Sequence, residues 1–526
     1  MVEPGHSSCE SNDTVDAAIG FAFVRHRGVR KQRLFTMTAP AKGEGTYNVV
    51  VIGAGTAGLV TAAGTAGLGG RVALIERNKM GGDCLNFGCV PSKALISSAR
   101  LIDKMRRAEE WGLRKIEPQF DFHEIFGRIR ARRAQIAPND SQERFESLGV
   151  DVFRGEAKFV SPHKVQIAHK VLQAKHFVIA TGSRATIPKI AGIETVKFFT
   201  NETIFDELTA KPESLIVLGG GPIGCELAQT FRRLGVRVTM IQRSGQLLPR
   251  EDRDVADFFE SRLTNEGVRI IKNADTHSVA TSDAGKVALE LLDRRSNSMA
   301  ERIFFADVLL IAIGRTPNFW TLDLKSAGVE VSEKGVRVNK YLQTSQLHIY
   351  AAGDVIGPFL FTHMADAQAR VVVRNILFPF QFLRQKMDYS VVPWCTYVDP
   401  EIATVGLNES AAKQQNIEYD LIVQKLDEVD RATVESESSG FAKVLLAKGS
   451  DRILGVTLVC DHAGDLLAEF ALAMRCRIGL GAIASTIHTY PTFAELARKL
   501  GDKHNKTRLT PAARRIFSWL YRCGLR

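Results

Sequence analysis

An α/β fold with two βαβ units and a separate C-terminal α+β domain is predicted from three observations. A glycine fingerprint, G-x-G-x-x-G, sits between an apolar run and an Ala/Leu-rich stretch, and it occurs twice, opening at Gly53 and at Gly219. Past residue 385 the texture changes to strand-like runs with helical stretches between them and no such fingerprint. The 526 residues exceed one core, and domains of about 100–200 residues imply roughly three of them.

The first unit opens at YNVVVIGAGTAGLV. Val49 to Ile52 read as a buried strand and run into Gly53-x-Gly55-x-x-Gly58. Gly53 makes the tight turn, Gly55 lets the backbone approach a pyrophosphate, and Gly58 lets helix and strand pack closely. The helix N-terminus then offers free N–H groups to phosphate. The next strand, RVALIE, ends on Glu76, whose carboxylate can accept from a ribose diol. This is a Rossmann-type dinucleotide site.

The second unit, SLIVLGGGPIGCELAQTFRRLGVRVTMIQRS, repeats the pattern with Gly219, Gly221 and Gly224. Its second strand ends on Gln242, followed by Arg243, with Arg250 nearby. Arginine without the carboxylate favours a 2′-phosphate, so NADPH is expected in preference to NADH. The alternative is that these arginines are ordinary surface residues. After residue 385, VVPWCTYVDPEIATVGL, GFAKVLLA and RILGVTLVC read as antiparallel strands.

Charge and cysteine usage narrow the class. The net charge is +11, but the basic residues are scattered except at the two ends and no nucleic-acid motif accompanies them, so no nucleic-acid partner is expected. Six of the eight cysteines stand singly, which is not a disulfide scaffold in so long a chain. No apolar run reaches the ~18 residues of a membrane span. Residues 1–46 are basic in part but contain Glu3, Glu10, Asp13 and Asp16, unlike an acid-poor transit peptide. They are read as a disordered extension of a cytoplasmic protein, with organellar targeting as the alternative.

The stretch GGDCLNFGCVPSK places Cys84 and Cys89 five positions apart with Lys93 behind them. On an ideal helix the two would point about 140° apart. Gly88 and Pro91 lie where the backbone must distort, which could bring the sulfurs together. A nearby cation would stabilise a thiolate. Two buried core cysteines remain the other reading of the pair taken alone.

Read together with VIATGS (178–183), AIGRTPN (312–318), YAAGDV (350–355) and YVDPEIATVGL (397–407), this stretch resembles the class I pyridine-nucleotide disulfide oxidoreductases. The resemblance implies FAD on the first fingerprint, with Glu76 on the adenosine ribose, the adenine against Ala157, Thr181, Gly182 and Gly314 lining the cofactor sites, and Asp354 near the ribityl chain. It implies NADPH on the second. It makes Cys84–Cys89 a redox disulfide, with Cys89 the thiolate that contacts the flavin and Cys84 the outer thiol that meets substrate. It sets Lys93 beside the flavin, paired with Glu226. It also implies a homodimer joined by the C-terminal domain, with each site borrowing groups from the partner. The domains implied are 47–195 with 320–384 for FAD, 196–319 for the nucleotide, 385–505 for dimerisation, and a basic tail at 506–526.

The borrowed group departs from the disulfide-reducing pattern. Where those members carry His-Pro-Thr and then Glu, this chain has Tyr490-Pro491-Thr492 and then Glu495. A phenol titrating near ~10 is a poor base at neutral pH, whereas imidazole is poised there. His488 is a candidate substitute. The tyrosine, and EVDRA at 428–432, are similar to the mercuric-reductase branch, which needs soft thiolate ligands but no proton delivered to a leaving sulfur. No permanent metal site is expected, and Cys84 and Cys89 would hold Hg(II) transiently. That branch usually ends in a vicinal cysteine pair and often begins with a CxxC domain, whereas this chain offers only Cys523 and Cys9. A dihydrolipoamide dehydrogenase or glutathione-reductase activity is the alternative. The tail TPAARRIFSWLYRCGLR is expected to form a helix packed on the body, with membrane-surface docking as the alternative.

Overall fold

Runs of β-branched residues flanked by glycine turns form three main sheets, with smaller ones beside them, in the computed structural model, which describes residues 45–293, 303–378 and 380–524. The N-terminal extension, Cys9 and Met37 included, lies outside the described residues.

The first sheet has a parallel core. Strand Thr46–Ile52 lies between Val72–Glu76 and Lys170–Ile179, with Val150–Arg154 beyond Val72–Glu76. Ile349–Ala351 returns from late in the chain to pair parallel with Lys170–Ile179. Both faces of its parallel core are covered, so the central strands carry apolar runs; Val49, Val50 and Val51 are fully buried. Helix Thr56–Gly67 follows the first strand and packs on helix Thr362–Leu377.

The second sheet is also parallel, in the order Arg269–Lys272, Arg237–Gln242, Ser214–Leu218 and Val308–Ile311. Helix Pro222–Arg233 starts directly on Gly221. By Arg315–Pro317 the chain has returned to Ser183–Ala185, with which it pairs antiparallel. The third sheet is antiparallel, ordered Pro393–Thr396, Glu401–Gly406, Ile453–Cys460, Phe441–Ala447 and Tyr419–Lys425, with helix Ala463–Arg475 packed on it.

The three parts meet at buried charges. Arg233, 4% exposed, pairs with Asp399 at 2.5 Å, Glu266 at 2.9 Å and Asp103 at 3.5 Å, which come from the third, second and first parts in turn. With three carboxylates around one guanidinium, removing Arg233 would strand buried negative charge.

The tail corrects one expectation. Residues 511–523 are helical, but none of them is buried, so the helix does not pack on the body of its own chain. Among the described residues no helix is long and apolar enough to cross a membrane.

Candidate active site

Both glycine loops open onto one cleft of about 1540 Å³, lined also by Cys84, Cys89, Lys93, Glu226 and Asp354. Gly53 turns with φ +106°, and a Cβ there would lie 2.4 Å from the Ala180 carbonyl oxygen. A Cβ at Gly58 would lie 1.8 Å from the Gly53 carbonyl oxygen. Gly219 and Gly224 repeat this geometry, with φ +107° and distances of 2.3 Å to the Ala312 oxygen and 2.0 Å to the Gly219 oxygen. The loops therefore bring bare backbone amides to the cleft, as a dinucleotide pyrophosphate requires.

Glu76 is spent partly on its own loop. Its carboxylate accepts from the Ala54 amide at 2.7 Å and the Asn78 amide at 2.6 Å. Each oxygen keeps a second lone-pair direction for a ribose hydroxyl. Ala157 is buried and lines a small adjoining cavity with Gly53, Glu76 and Thr181. Thr181 donates to the Asn318 carbonyl. Gly182, at φ +68°, and Gly314, at φ +145°, line the cleft between the two loops. Asp354 accepts from the Ser183 hydroxyl at 2.5 Å. Burial pushes its carboxyl up, against the pull of Arg315.

The cysteine stretch folds as two helices with a break. Gly81 and Gly82 take positive φ, and a Cβ on Gly82 would fall 2.6 Å from Gly55 Cα, so the thiol segment packs directly on the first phosphate loop. Helix Gly82–Asn86 carries Cys84, Gly88 interrupts it at φ −116°, ψ −108°, and Cys89 begins helix Cys89–Arg106. The two cysteines are free thiols whose ionisations are linked. The neighbouring Cys84 thiol favours the Cys89 thiolate, so the Cys84 pKa is driven up and that of Cys89 is lowered to about 6. Thr362 Oγ1, 3.3 Å from Cys89 Sγ, and the charge of Lys93 also favour the Cys89 thiolate, against burial and Asp83.

Lys93 follows Cys89 by one helical turn. Its ammonium is 2.8 Å from Glu226 Oε2 and lies over the Tyr397 ring at 4.5 Å from the centroid. Burial alone would lower its pKa, but the Glu226 carboxylate overrides this and raises it. The other Glu226 oxygen accepts from the Tyr397 amide at 2.9 Å.

Some predicted residues fall elsewhere. Arg243 and Arg250 line the cleft, but Arg243 is ion-paired with Asp275 at 3.1 Å. The expectation of arginine without a carboxylate is thereby corrected: Asp275, from strand Ala274–Thr281, supplies one. Tyr490 and Glu495 do not line the cleft of their own chain. Tyr490 is 68% exposed, and its hydroxyl donates to Asp430 at 2.9 Å, which raises the phenol pKa further. Glu495 is buried against Arg498 at 2.6 Å. His488 has both ring nitrogens occupied, by the Thr486 carbonyl at 2.9 Å and Glu469 at 3.0 Å.

The sequence reading missed three groups. Arg315 bridges Asp83, next to Cys84, at 3.1 Å and Asp354 at 3.6 Å, so it ties the thiol segment to the cofactor side. Thr362 comes from 273 positions away in sequence. Cys395 is a third thiol lining the cleft, and its pKa is pushed up by burial. The AIGRTPN stretch held the signal for Arg315; nothing local signalled the other two.

The pyridine nucleotide-disulphide oxidoreductase signature matches residues 47–369, and the dimerisation domain of the same family matches 392–500. The chain is 33% identical to a mercuric reductase of Bacillus cereus over 89% of this chain and 73% of that one. It is 32% identical to a dihydrolipoyl dehydrogenase of Chlamydia pneumoniae over 86% of this chain and 95% of that one. The Cu(II) complex of the HOCl-induced flavoprotein disulfide reductase RclA from Escherichia coli superposes with a TM-score of 0.78 at 27% identity, covering 87% of this chain and 99% of that one. The dimerisation-domain match supports a homodimer. With the two dinucleotide loops, the thiol pair between them and these similarities, the chain belongs to the class I pyridine nucleotide-disulphide oxidoreductase family, a mercuric-reductase-like flavoprotein that uses FAD and NAD(P)H.

Proposed function

We propose that the chain is an NADPH-dependent reductase that uses the Cys84–Cys89 pair to reduce a thiol-bound acceptor, with Hg(II) as the model acceptor. The bare glycine loops and the long cleft fit FAD and a nicotinamide dinucleotide. FAD, when bound, relays the two electrons of a hydride from nucleotide to disulfide. Glu76, Ala157, Thr181, Gly182 and Asp354 would hold it. Gly219, Gly221, Gly224, Arg243 and Arg250 would hold the nucleotide.

The overall exchange balances without an outside proton. NADPH gives up a hydride; the disulfide takes its two electrons and its proton and becomes a Cys84 thiol and a Cys89 thiolate. The acceptor then takes two electrons, the sulfur–sulfur bond re-forms and one proton leaves. The neighbouring Cys84 thiol and Lys93 stabilise the reduced pair in that protonation state. Glu226 keeps Lys93 charged and in place.

The observation that carries the choice of acceptor is Tyr490. Disulfide reduction needs a group that protonates the departing thiolate. Here a phenol whose hydroxyl donates a hydrogen bond to Asp430 stands in that register, and His488 is occupied. Soft thiolates holding a soft metal ion have no such need. Steady-state assays with Hg(II), lipoamide and oxidised glutathione, each with NADPH and NADH, test this. Hg(II) with NADPH is expected to turn over, and both disulfides only weakly. Tyr490→His is expected to raise disulfide turnover by roughly a hundredfold, the low end of general acid–base contributions. Disulfide turnover as fast as that of a dedicated reductase would favour the second reading, a dihydrolipoamide dehydrogenase or glutathione-reductase type. The similarity to dihydrolipoyl dehydrogenases keeps that reading open to test.

A further inference from the structure

Helix Pro511–Cys523 encodes both of its own ends. Thr510 accepts from the Ala513 amide at 3.2 Å, Pro511 occupies the first turn, and Gly524 closes the helix at φ +57°. Yet a lone helix of about 13 residues is marginal in water, and none of its residues is buried. Something outside the chain must cover it.

Its two faces differ in kind. Ile516, Leu520 and Cys523 form one stripe at helical spacing, flanked by Phe517 and Trp519. Ile516 is 58% exposed and Trp519 59%. The opposite face carries Arg514, Arg515, Ser518 and Arg522, with Tyr521 beside Arg514. No acidic residue follows Asp502, whereas Lys503, Lys506 and Arg508 lead into the helix. The dimerisation-domain match ends at residue 500, before the helix begins.

We propose that this helix docks in the plane of an anionic lipid surface, with the Ile516–Leu520–Trp519 face in the acyl boundary and the arginines on the headgroups. An aromatic and aliphatic face opposite one rich in arginine and free of acidic residues is the composition that partitions there. The basic lead-in adds attraction to anionic lipid.

The test is sedimentation of the full-length holoenzyme with vesicles of phosphatidylcholine alone or mixed with phosphatidylglycerol. At least about tenfold more protein is expected to pellet with the anionic vesicles at low salt. Ile516→Glu/Leu520→Glu is expected to abolish the binding, and Arg514→Gln/Arg515→Gln to remove the preference for anionic lipid. Both variants should keep wild-type FAD content and turnover, which shows that they fold. Binding to neither vesicle would overturn the proposal. So would binding that survives the glutamate substitutions, since charge alone would then explain it. A change from dimer to monomer in the glutamate variant would also overturn it, by showing that a second copy covers the face.

Discussion

The two dinucleotide loops share a backbone and differ in charge. Gly53 and Gly219 turn at +106° and +107°. The residue that ends the second strand also does the same job in each. Glu76 accepts from the Ala54 amide at 2.7 Å, and Gln242 accepts from the Gly220 amide at 2.9 Å. The loop therefore needs an acceptor oxygen at this position and does not need a charge. The choice of carboxylate or amide is left to the ligand; an arginine follows in each case, Arg77 after Glu76 and Arg243 after Gln242, and the second side adds Arg250.

The most severe way to break the comparison is to add a Cβ to either turn. Gly53→Ala is expected to lose FAD, and Gly219→Ala to keep FAD but lose reduction by nucleotide. Each loss should be roughly tenfold or more, matching a backbone strain of ~1–3 kcal/mol. Absorbance of the purified proteins and anaerobic NADPH titration read the two outcomes. Next, Gln242→Glu keeps the loop acceptor and adds the charge. The ratio of kcat/KM for NADPH over NADH should fall by about tenfold, the cost of a carboxylate facing a phosphate. Glu76→Gln is the converse swap; it should weaken FAD binding by about threefold, since the amide-accepting role survives. The smallest effect is expected from Asp275→Asn. It frees Arg243 from its 3.1 Å partner, and KM for NADPH should drop by about twofold, the value of an exposed ion pair.

A separate titration checks the thiol pair. Because the Cys89 pKa lies below the ordinary thiol value, the two-electron-reduced holoenzyme should hold a thiolate at neutral pH. Its long-wavelength absorbance should fade on acidification through about pH 6. A midpoint near an ordinary thiol value would show that Cys84 and Lys93 do not act on Cys89 as described.

What could be read in advance was local. The glycine turns, the break at Gly88 and the antiparallel third sheet follow from spacing and from residues with restricted or unusual backbone freedom. Which distant side chains converge is not written in any window. Thr362 reaches Cys89, Arg315 reaches Asp83, and Asp275 reaches Arg243 only through the tertiary fold. Asp275 matters most here, because it changes the meaning of an arginine that sequence alone left without a partner. The exposed tail was misjudged for a related reason. Amphipathic spacing shows that a face must be covered, not by what.

Glu226 gives the molecule a mechanical property as well as a chemical one. One oxygen holds Lys93 and the other holds the Tyr397 amide, so a single side chain rivets three parts of the fold together. A swing of the nucleotide half away from its neighbours would pull that rivet and strand an ammonium beside the thiols without its counter-charge. The contact between the three parts beside the thiols is thus held by a charge as well as by packing.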